Sequence, residues 1–161
     1  MTSSFDSERF SRHVVRITDP DDGSPLGTGF FIGPGWLLTC AHVVGWSEYV
    51  GVTPHGSLVD GEPLSAHVRA RSAAPAQGRN WSFPDLALLQ LTRPFTHPCV
   101  LLSTELPDEH RPGYAWGYAR GDFEAASGLR GSQTTFTFEG LEGGYLKLKR
   151  SEERRVGKEC Q

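Results

Sequence analysis

The chain has 161 residues, a formal net charge of -3 and a sequence pI near 6.1. This length fits one domain, or two small lobes that share an interface. The weak acidity and the lack of Lys/Arg runs exclude a nucleic-acid partner, and no stretch approaches the ~18 apolar residues of a membrane span. The 19 glycines and 11 prolines predict many turns rather than disorder.

The cysteines and the N-terminus indicate the compartment. Cys40, Cys99 and Cys160 are odd in number and irregularly spaced, so the sequence predicts no disulfide framework. The N-terminal sequence MTSSFDSERFSRHVV contains acidic residues and lacks the apolar core of a signal peptide. We therefore expect a cytoplasmic protein.

The chain is a succession of short apolar runs separated by turn sequences. Residues 1–11 are polar and are predicted to form a flexible N-terminus. Beta-branched residues predict a first strand at His13–Ile17, and apolar runs at 30–32 and 36–38 flank a Gly-Pro-Gly turn that is typical of a hairpin. Further strands are predicted at Glu48–Thr53, Leu64–Ala70, Asp85–Leu91, Cys99–Leu102, Tyr114–Tyr118, Gln133–Phe138 and Tyr145–Lys149.

Residues 64–70 alternate strictly between apolar and polar side chains, which predicts a strand with one buried face. Ala70 lies on the predicted buried face, and His67 lies on the exposed one. Apart from a short turn around His42, no segment has a helical period of useful length. Strands and turns at this density predict an all-β barrel or sandwich.

His42 follows the second strand of the predicted hairpin. A histidine in such a position is by itself more often structural than catalytic. The surrounding sequence at 27–44, GTGFFIGPGWLLTCAHVV, resembles the general-base region of trypsin-like serine peptidases. That region has a Gly-x-Gly-Phe strand, an apolar hairpin and then Thr-Ala-Ala-His or a close variant, with alanine most common where this chain has Cys40. The resemblance implies that His42 is a general base.

A second sequence, FPDLALL at 83–89, resembles the Asp-Leu-Ala-Leu-Leu motif that begins a barrel strand in the same family. An aspartate before an apolar strand is otherwise commonly a turn or edge residue. Asp85 follows His42 by 43 residues, close to the roughly 45 that separate base and acid in the Ser-His-Asp template. The resemblance implies that Asp85 orients the imidazole of His42.

The resemblance covers about residues 12–149 and implies a chymotrypsin-like double antiparallel β-barrel whose second barrel is incomplete. The first barrel, at 12–105, carries His42 and Asp85, and a partial second barrel occupies 106–149. Residues 150–161, RSEERRVGKECQ, contain seven charged residues among twelve. This tail looks like the translation of a sequencing-library adapter, so we expect it to be non-native.

The nucleophile motif of the family, Gly-x-Ser-Gly, does not occur in the 161 residues. Ser127 lacks the glycine two positions before it, and Ser132 and Ser151 have no suitable context. In the template the serine lies roughly 90 residues beyond the aspartate, and compact relatives shorten this distance. We therefore expect the serine just past residue 161 and expect the chain by itself to be inactive.

The leading hypothesis is a serine-type endopeptidase that hydrolyses peptide bonds in peptide or protein substrates by a Ser-His-Asp triad, without a cofactor. The chain most resembles the intracellular bacterial type, which is often fused to signalling modules, so a fused or partner signalling module is expected. Two alternatives remain. One is a non-catalytic pseudo-peptidase binding module on the same fold, and the other is an unrelated small β-barrel interaction domain.

The chain contains several potential metal ligands. Their spacings match neither a zinc finger nor a His-Glu-x-x-His motif, so no metal is predicted from the sequence. These potential ligands are Cys40, His42, His55, His67 and Cys99.

Overall fold

The computed structural model describes residues 11–55, 64–73, 81, 84–118, 132–142 and 145–150. A four-residue helix, α1, follows the third strand at Ala41–Val44, and the other elements named below are strands. These are β1 (Val14–Thr18), β2 (Pro25–Gly33), β3 (Trp36–Thr39), β4 (Tyr49–Pro54), β5 (Leu64–Arg71), β6 (Ala87–Leu91), β7 (Pro112–Gly117), β8 (Ser132–Glu142) and β9 (Tyr145–Arg150).

Strands β1 to β6 close into an antiparallel barrel in the order β1-β2-β3-β6-β5-β4. Closure leaves none of the six strands with an unpaired edge, which is one way in which antiparallel sheets avoid pairing with other chains. Because successive side chains of a strand point to opposite faces, alternate residues fill the interior. Those that are completely buried include Val15, Ile17, Phe31, Leu37, Val50, Val52 and Leu89.

Strands β7, β8 and β9 form a separate three-stranded sheet in that order. The closed barrel and this sheet confirm the predicted all-β, chymotrypsin-like class with an incomplete second barrel. Phe138 is buried in the second unit, whereas Leu141, Leu146 and Leu148 are each about half exposed. No helix in the described part of the chain is long and apolar enough to cross a membrane.

The chain divides into two compact units. One comprises Met1–Leu102 and Gly117–Ser132, and the other Ser103–Trp116 and Gln133–Gln161. The predicted boundary at 105/106 stays a prediction. Of the predicted flexible stretch 1–11, only Ser11 lies within the described residues, where it is buried. Of the predicted non-native tail, residues 151–161 lie outside them.

Two predictions on individual strands were wrong. Residues 99–102 are not a strand: they make no ladder with a neighbour, and Leu101 is 97% exposed. The apolar composition of that segment was misleading because its one backbone hydrogen bond to β2, from the Val100 N–H to the Phe31 carbonyl, does not make a ladder. Strand β2 begins at Pro25, five residues before the predicted apolar run, because its first half pairs with β1 through the backbone.

The predicted alternation in β5 holds only for the first half of the strand. Leu64 and Ala66 are buried, but the pairing with β6 shifts register between Val68 and Ala70, and Ala70 is exposed. His67, which was predicted to be exposed, is half-buried. Its ring lies 4.3 Å from that of Tyr49 between centroids, on the neighbouring strand β4.

Candidate active site

Strand β3 carries the chain to the rim of the barrel and into helix α1. Thr39, the last residue of β3, is buried, and its Oγ1 donates a hydrogen bond of 2.7 Å to the carbonyl of Thr28 on β2. Cys40 is still extended, with φ -79° and ψ 145°, and it precedes the first helical residue. Ala41 is buried and His42 is exposed, so the helix packs on the barrel with the histidine facing outward.

Two glycines fit α1 to the barrel. A Cβ atom at Gly27 would lie 2.8 Å from Cγ2 of Val43, so a larger residue there would displace the Val43 side chain of the helix. Gly45 ends the helix with φ 53° and ψ -122°, and its N–H donates to the carbonyl of Ala41 at 2.9 Å. Arg71 Nη1 donates to the carbonyl of Gly45 at 2.5 Å. The turn that carries His42 is therefore fixed from both sides.

Asp85 lies just before β6, in a segment that is pinned to the end of β5. The Leu86 N–H donates to Ser72 Oγ at 3.0 Å, and the Ser72 N–H donates to the Leu86 carbonyl at 2.8 Å. Strand β6 also pairs with β3, with Thr39 opposite Ala87. This register places the segment before β6 beside the residues that follow β3, although the two are far apart in sequence.

The carboxylate of Asp85 makes two hydrogen bonds to His42. Oδ1 accepts the His42 backbone N–H at 2.9 Å, and Oδ2 is 2.5 Å from Nδ1 of the ring. The side chain of Cys40, at the N-cap position, makes no capping hydrogen bond. Asp85 therefore caps the start of α1 from the segment before β6, since the first N–H groups of a helix have no partner within it.

Hydrogen bonding keeps Asp85 ionised. Burial raises the pKa of its carboxyl, but the hydrogen bonds from the ring and backbone of His42, and from the backbone of Ala41, outweigh burial and lower that pKa below its usual range. An ionised carboxylate can only accept hydrogen bonds, so the proton between the two side chains belongs to Nδ1 of His42. The lone pair of the ring is then on Nε2.

The ring of His42 is open to solvent on its other side. Its side chain is 56% exposed, against 27% for Asp85. Among the described residues, none forms a hydrogen bond with Nε2. The ring can therefore accept a proton at Nε2, and the carboxylate can stabilise the resulting imidazolium.

Cys40 lies beside this pair. Burial and then the charge of Asp85 raise the pKa of the Cys40 thiol, so the neutral, weakly nucleophilic form is favoured. One donor atom each from Cys40, His42 and Asp85 lie within 4.8 Å of one another. Ligand spacing along the sequence does not reveal this cluster, because the register between β3 and β6 brings Asp85 to the other two residues.

The other two histidines among the potential metal ligands have different surroundings. His55 Nδ1 is 2.9 Å from the hydroxyl of Tyr118, and His67 packs on Tyr49. In the part of the chain that the structure describes, Cys40, His42 and Asp85 are the one cluster of three or more His, Cys, Asp or Glu donors with the separations of a metal site.

Comparisons with known proteins identify the family of the chain and its fold. The family model described as Trypsin-like peptidase domain matches residues 27–155. No curated protein matches the chain.

Among solved structures, the inactive form of the Rv3671c protease of M. tuberculosis has a TM-score of 0.59 and 22% identity, over 83% of this chain and 55% of that one. The active form has a TM-score of 0.57 and 24% identity, over 89% and 58%. At this identity the similarity establishes the fold, and this chain spans a little over half the length of those structures.

Proposed function

We propose that this chain, which belongs to the trypsin-like peptidase domain family, carries the general base and the orienting carboxylate of a serine endopeptidase. The observation that carries the proposal is the hydrogen bond of 2.5 Å between His42 Nδ1 and Asp85 Oδ2. In the proposed reaction the substrate is a peptide bond in a peptide or protein, and no cofactor takes part.

Each residue has a distinct role in the proposed mechanism. His42 Nε2 removes the proton of a serine hydroxyl as that oxygen attacks the peptide carbonyl, and then returns the proton to the leaving amine. Asp85 holds the ring in the tautomer that leaves Nε2 unprotonated, and its charge stabilises the imidazolium formed in between. A pair of this kind raises the reactivity of a serine but cannot replace it.

The nucleophile is the part of the proposed triad that the sequence does not contain. The 161 residues include no Gly-x-Ser-Gly motif, so we assign the serine and its oxyanion-hole amides to further sequence of the same protein. Loss of the nucleophile alone costs about a millionfold in kcat in a comparable protease. The chain by itself is therefore expected to be inactive.

The test is to sequence the source gene across the codon for Lys149 and to express the longest reading frame that results. A Gly-x-Ser-Gly motif, labelling of its serine by a fluorophosphonate and cleavage of a denatured protein substrate are the expected results. His42→Ala should abolish cleavage, whereas Asp108→Asn, which changes an exposed acid of the second unit, should not. A reading frame without the motif would favour the pseudo-peptidase binding module instead.

A further inference from the structure

We propose that Cys40, His42 and Asp85 form a binding site for Zn²⁺, and that the bound ion switches off the His42–Asp85 pair. One donor atom from each residue lies within 4.8 Å of the other two. A thiolate, an imidazole and a carboxylate are the three ligand types that zinc takes in proteins. The inhibitory effect rests on the proposed peptidase function, whereas the metal site itself does not.

The donors can close around an ion with small movements. Zinc binds sulfur at about 2.3 Å and nitrogen or oxygen at about 2.0–2.2 Å, so tetrahedral N and O ligands are ~3.4 Å apart. His42 Nδ1 and Asp85 Oδ2 are 2.5 Å apart and must separate by roughly an ångström to admit the ion. Rotation of the Asp85 side chain can supply this movement while the backbone of the residue, just before β6, stays in place.

The backbone fixes the approach of the three ligands. Cys40 and His42 are two residues apart at the start of α1, and the pairing of Thr39 with Ala87 brings Asp85 to them. The side chain of His42 is 56% exposed, which leaves a side of the cluster open to a water molecule as the fourth ligand. Catalytic zinc sites likewise have three protein ligands and a fourth position that takes water.

Binding at Nδ1 changes what the histidine can do. The ion takes the place of the Nδ1 proton, which the ring regains at Nε2 through solvent, and it displaces the thiol proton of Cys40, which is released to solvent. A neutral imidazole whose Nδ1 holds a metal carries its single proton on Nε2. His42 then donates at the position where the proposed mechanism needs it to accept, so zinc acts as a reversible inhibitor.

Cys99 provides a matched control within the same chain. Its Sγ lies 3.6 Å from Nδ1 of His97, and both belong to the barrel unit. Like Cys40 it is a half-buried free thiol next to a histidine. It lacks the third ligand, however, since the donor cluster among the described residues contains Cys40, His42 and Asp85 alone.

The experiment titrates the 161-residue chain, in a Cys160→Ser background, with Zn²⁺ by calorimetry and with Cd²⁺ by ultraviolet absorption. We expect one ion per chain and a cadmium–thiolate absorption band. Cys40→Ala and Cys40→Ser should both remove the band and weaken zinc binding at least about tenfold, since even the partners behind metal ligands are worth 10–100-fold. Cys99→Ala should change neither. Equal zinc affinity in the Cys40 and Cys99 variants, with unchanged circular dichroism, would overturn the site.

The same variants separate the metal site from the peptidase function. Zinc binding that depends on Cys40, in a full-length protein without peptidase activity, supports the site and counts against the proposed function. Peptidase activity in a protein whose zinc affinity is unchanged by Cys40→Ser overturns the site alone. Peptidase activity that Zn²⁺ inhibits, and that a chelator restores, supports both.

Discussion

Asp85 is bound to His42 twice, through the backbone N–H at 2.9 Å and through Nδ1 of the ring at 2.5 Å. The first hydrogen bond caps helix α1 and so sets where the histidine lies. The second determines which ring nitrogen carries the proton. One carboxylate therefore controls both the position and the tautomer of the imidazole. A substitution can be chosen that keeps the position and changes the tautomer.

Asp85→Asn is that substitution. The amide oxygen can still accept the His42 backbone N–H, but the amide nitrogen then faces Nδ1 and donates to it, which moves the ring proton to Nε2. In the protein that carries the nucleophile we expect kcat to fall by about 10⁴. The measurement is single-turnover and steady-state cleavage of a peptide substrate, with Asp108→Asn as the control. A kcat within threefold of wild type would contradict the proposed role of Asp85.

Ser72 positions Asp85 through Leu86. Its hydroxyl accepts the Leu86 N–H at 3.0 Å and donates to the Leu86 carbonyl at 3.1 Å. Ser72→Ala should cost about 1 kcal/mol of unfolding free energy and should broaden the Nδ1–H proton resonance of His42, because the segment that carries its partner is loosened. Urea denaturation and proton NMR measure the two effects.

Thr92 offers a control at the opposite end of β6. Its hydroxyl donates to the Ser65 carbonyl at 3.0 Å, also between β5 and the segment next to β6. Thr92→Val should lower the unfolding free energy by a similar amount and leave the His42 resonance unchanged. An equal effect of the two variants on that resonance would show that Ser72 has no special role in positioning.

Gly45 occupies a backbone conformation that other residues adopt only with strain, with φ 53° and ψ -122°. Gly45→Ala should therefore lower the free energy of unfolding by about 1–3 kcal/mol. Gly33→Ala is the control, because a Cβ there would meet only an ordinary contact of 3.9 Å with Trp36. Denaturant unfolding of both variants tests this, and a Gly45→Ala protein as stable as Gly33→Ala would contradict it.

His55 should make the stability of the barrel depend on pH. Burial lowers the pKa of its imidazole, and its Nδ1 faces the hydroxyl of Tyr118, whose own pKa burial raises to about 12 despite the opposing charge of Arg16. The unfolded chain therefore binds a proton at higher pH than the folded one does. The contribution of neutral His55 to the unfolding free energy is fully present above its pKa in the unfolded chain, near 6.5, and is lost as pH falls below that value.

The variant His55→Gln removes this titration while keeping an acceptor for Tyr118. We expect the unfolding free energy of the wild type to fall more steeply than that of the variant between pH 7 and pH 5. Urea denaturation at several pH values gives both curves. Parallel curves over that range would show that His55 contributes no pH dependence.

The sequence was sufficient to predict the all-β, chymotrypsin-like fold and to identify His42 and Asp85 as a pair. The apolar runs at 30–32 and 36–38 lie in β2 and β3, and the motifs around His42 and Asp85 identify side chains that the structure brings together. Local sequence was insufficient where backbone pairing decides the outcome. The first half of β2 pairs with β1 and has little apolar character, whereas residues 99–102 are apolar but make no ladder, and one backbone hydrogen bond, from Val100 to Phe31, joins them to β2.

Register explains what else could not be predicted. The shift between Val68 and Ala70 turns Ala70 outward, and no residue type in that stretch signals it. Cys40 differs from the alanine common in the family, but its position beside Asp85 depends on the pairing of β3 with β6. The closed barrel brings residues so distant in sequence into contact. The residue pattern indicates an all-β barrel or sandwich as a class of fold, but it does not indicate which strands pair.

The most direct test of the account is the protonation of the His42 ring in the 161-residue chain, measured by ¹⁵N NMR with labelled histidine above pH 7. The account predicts that in the neutral ring Nδ1 carries the proton and donates it in a hydrogen bond to the Asp85 carboxylate. Nε2 is then unprotonated and able to accept a proton from a serine. A neutral ring that is protonated on Nε2, or that averages between the two tautomers, would contradict the proposed role of His42 as a general base oriented by Asp85.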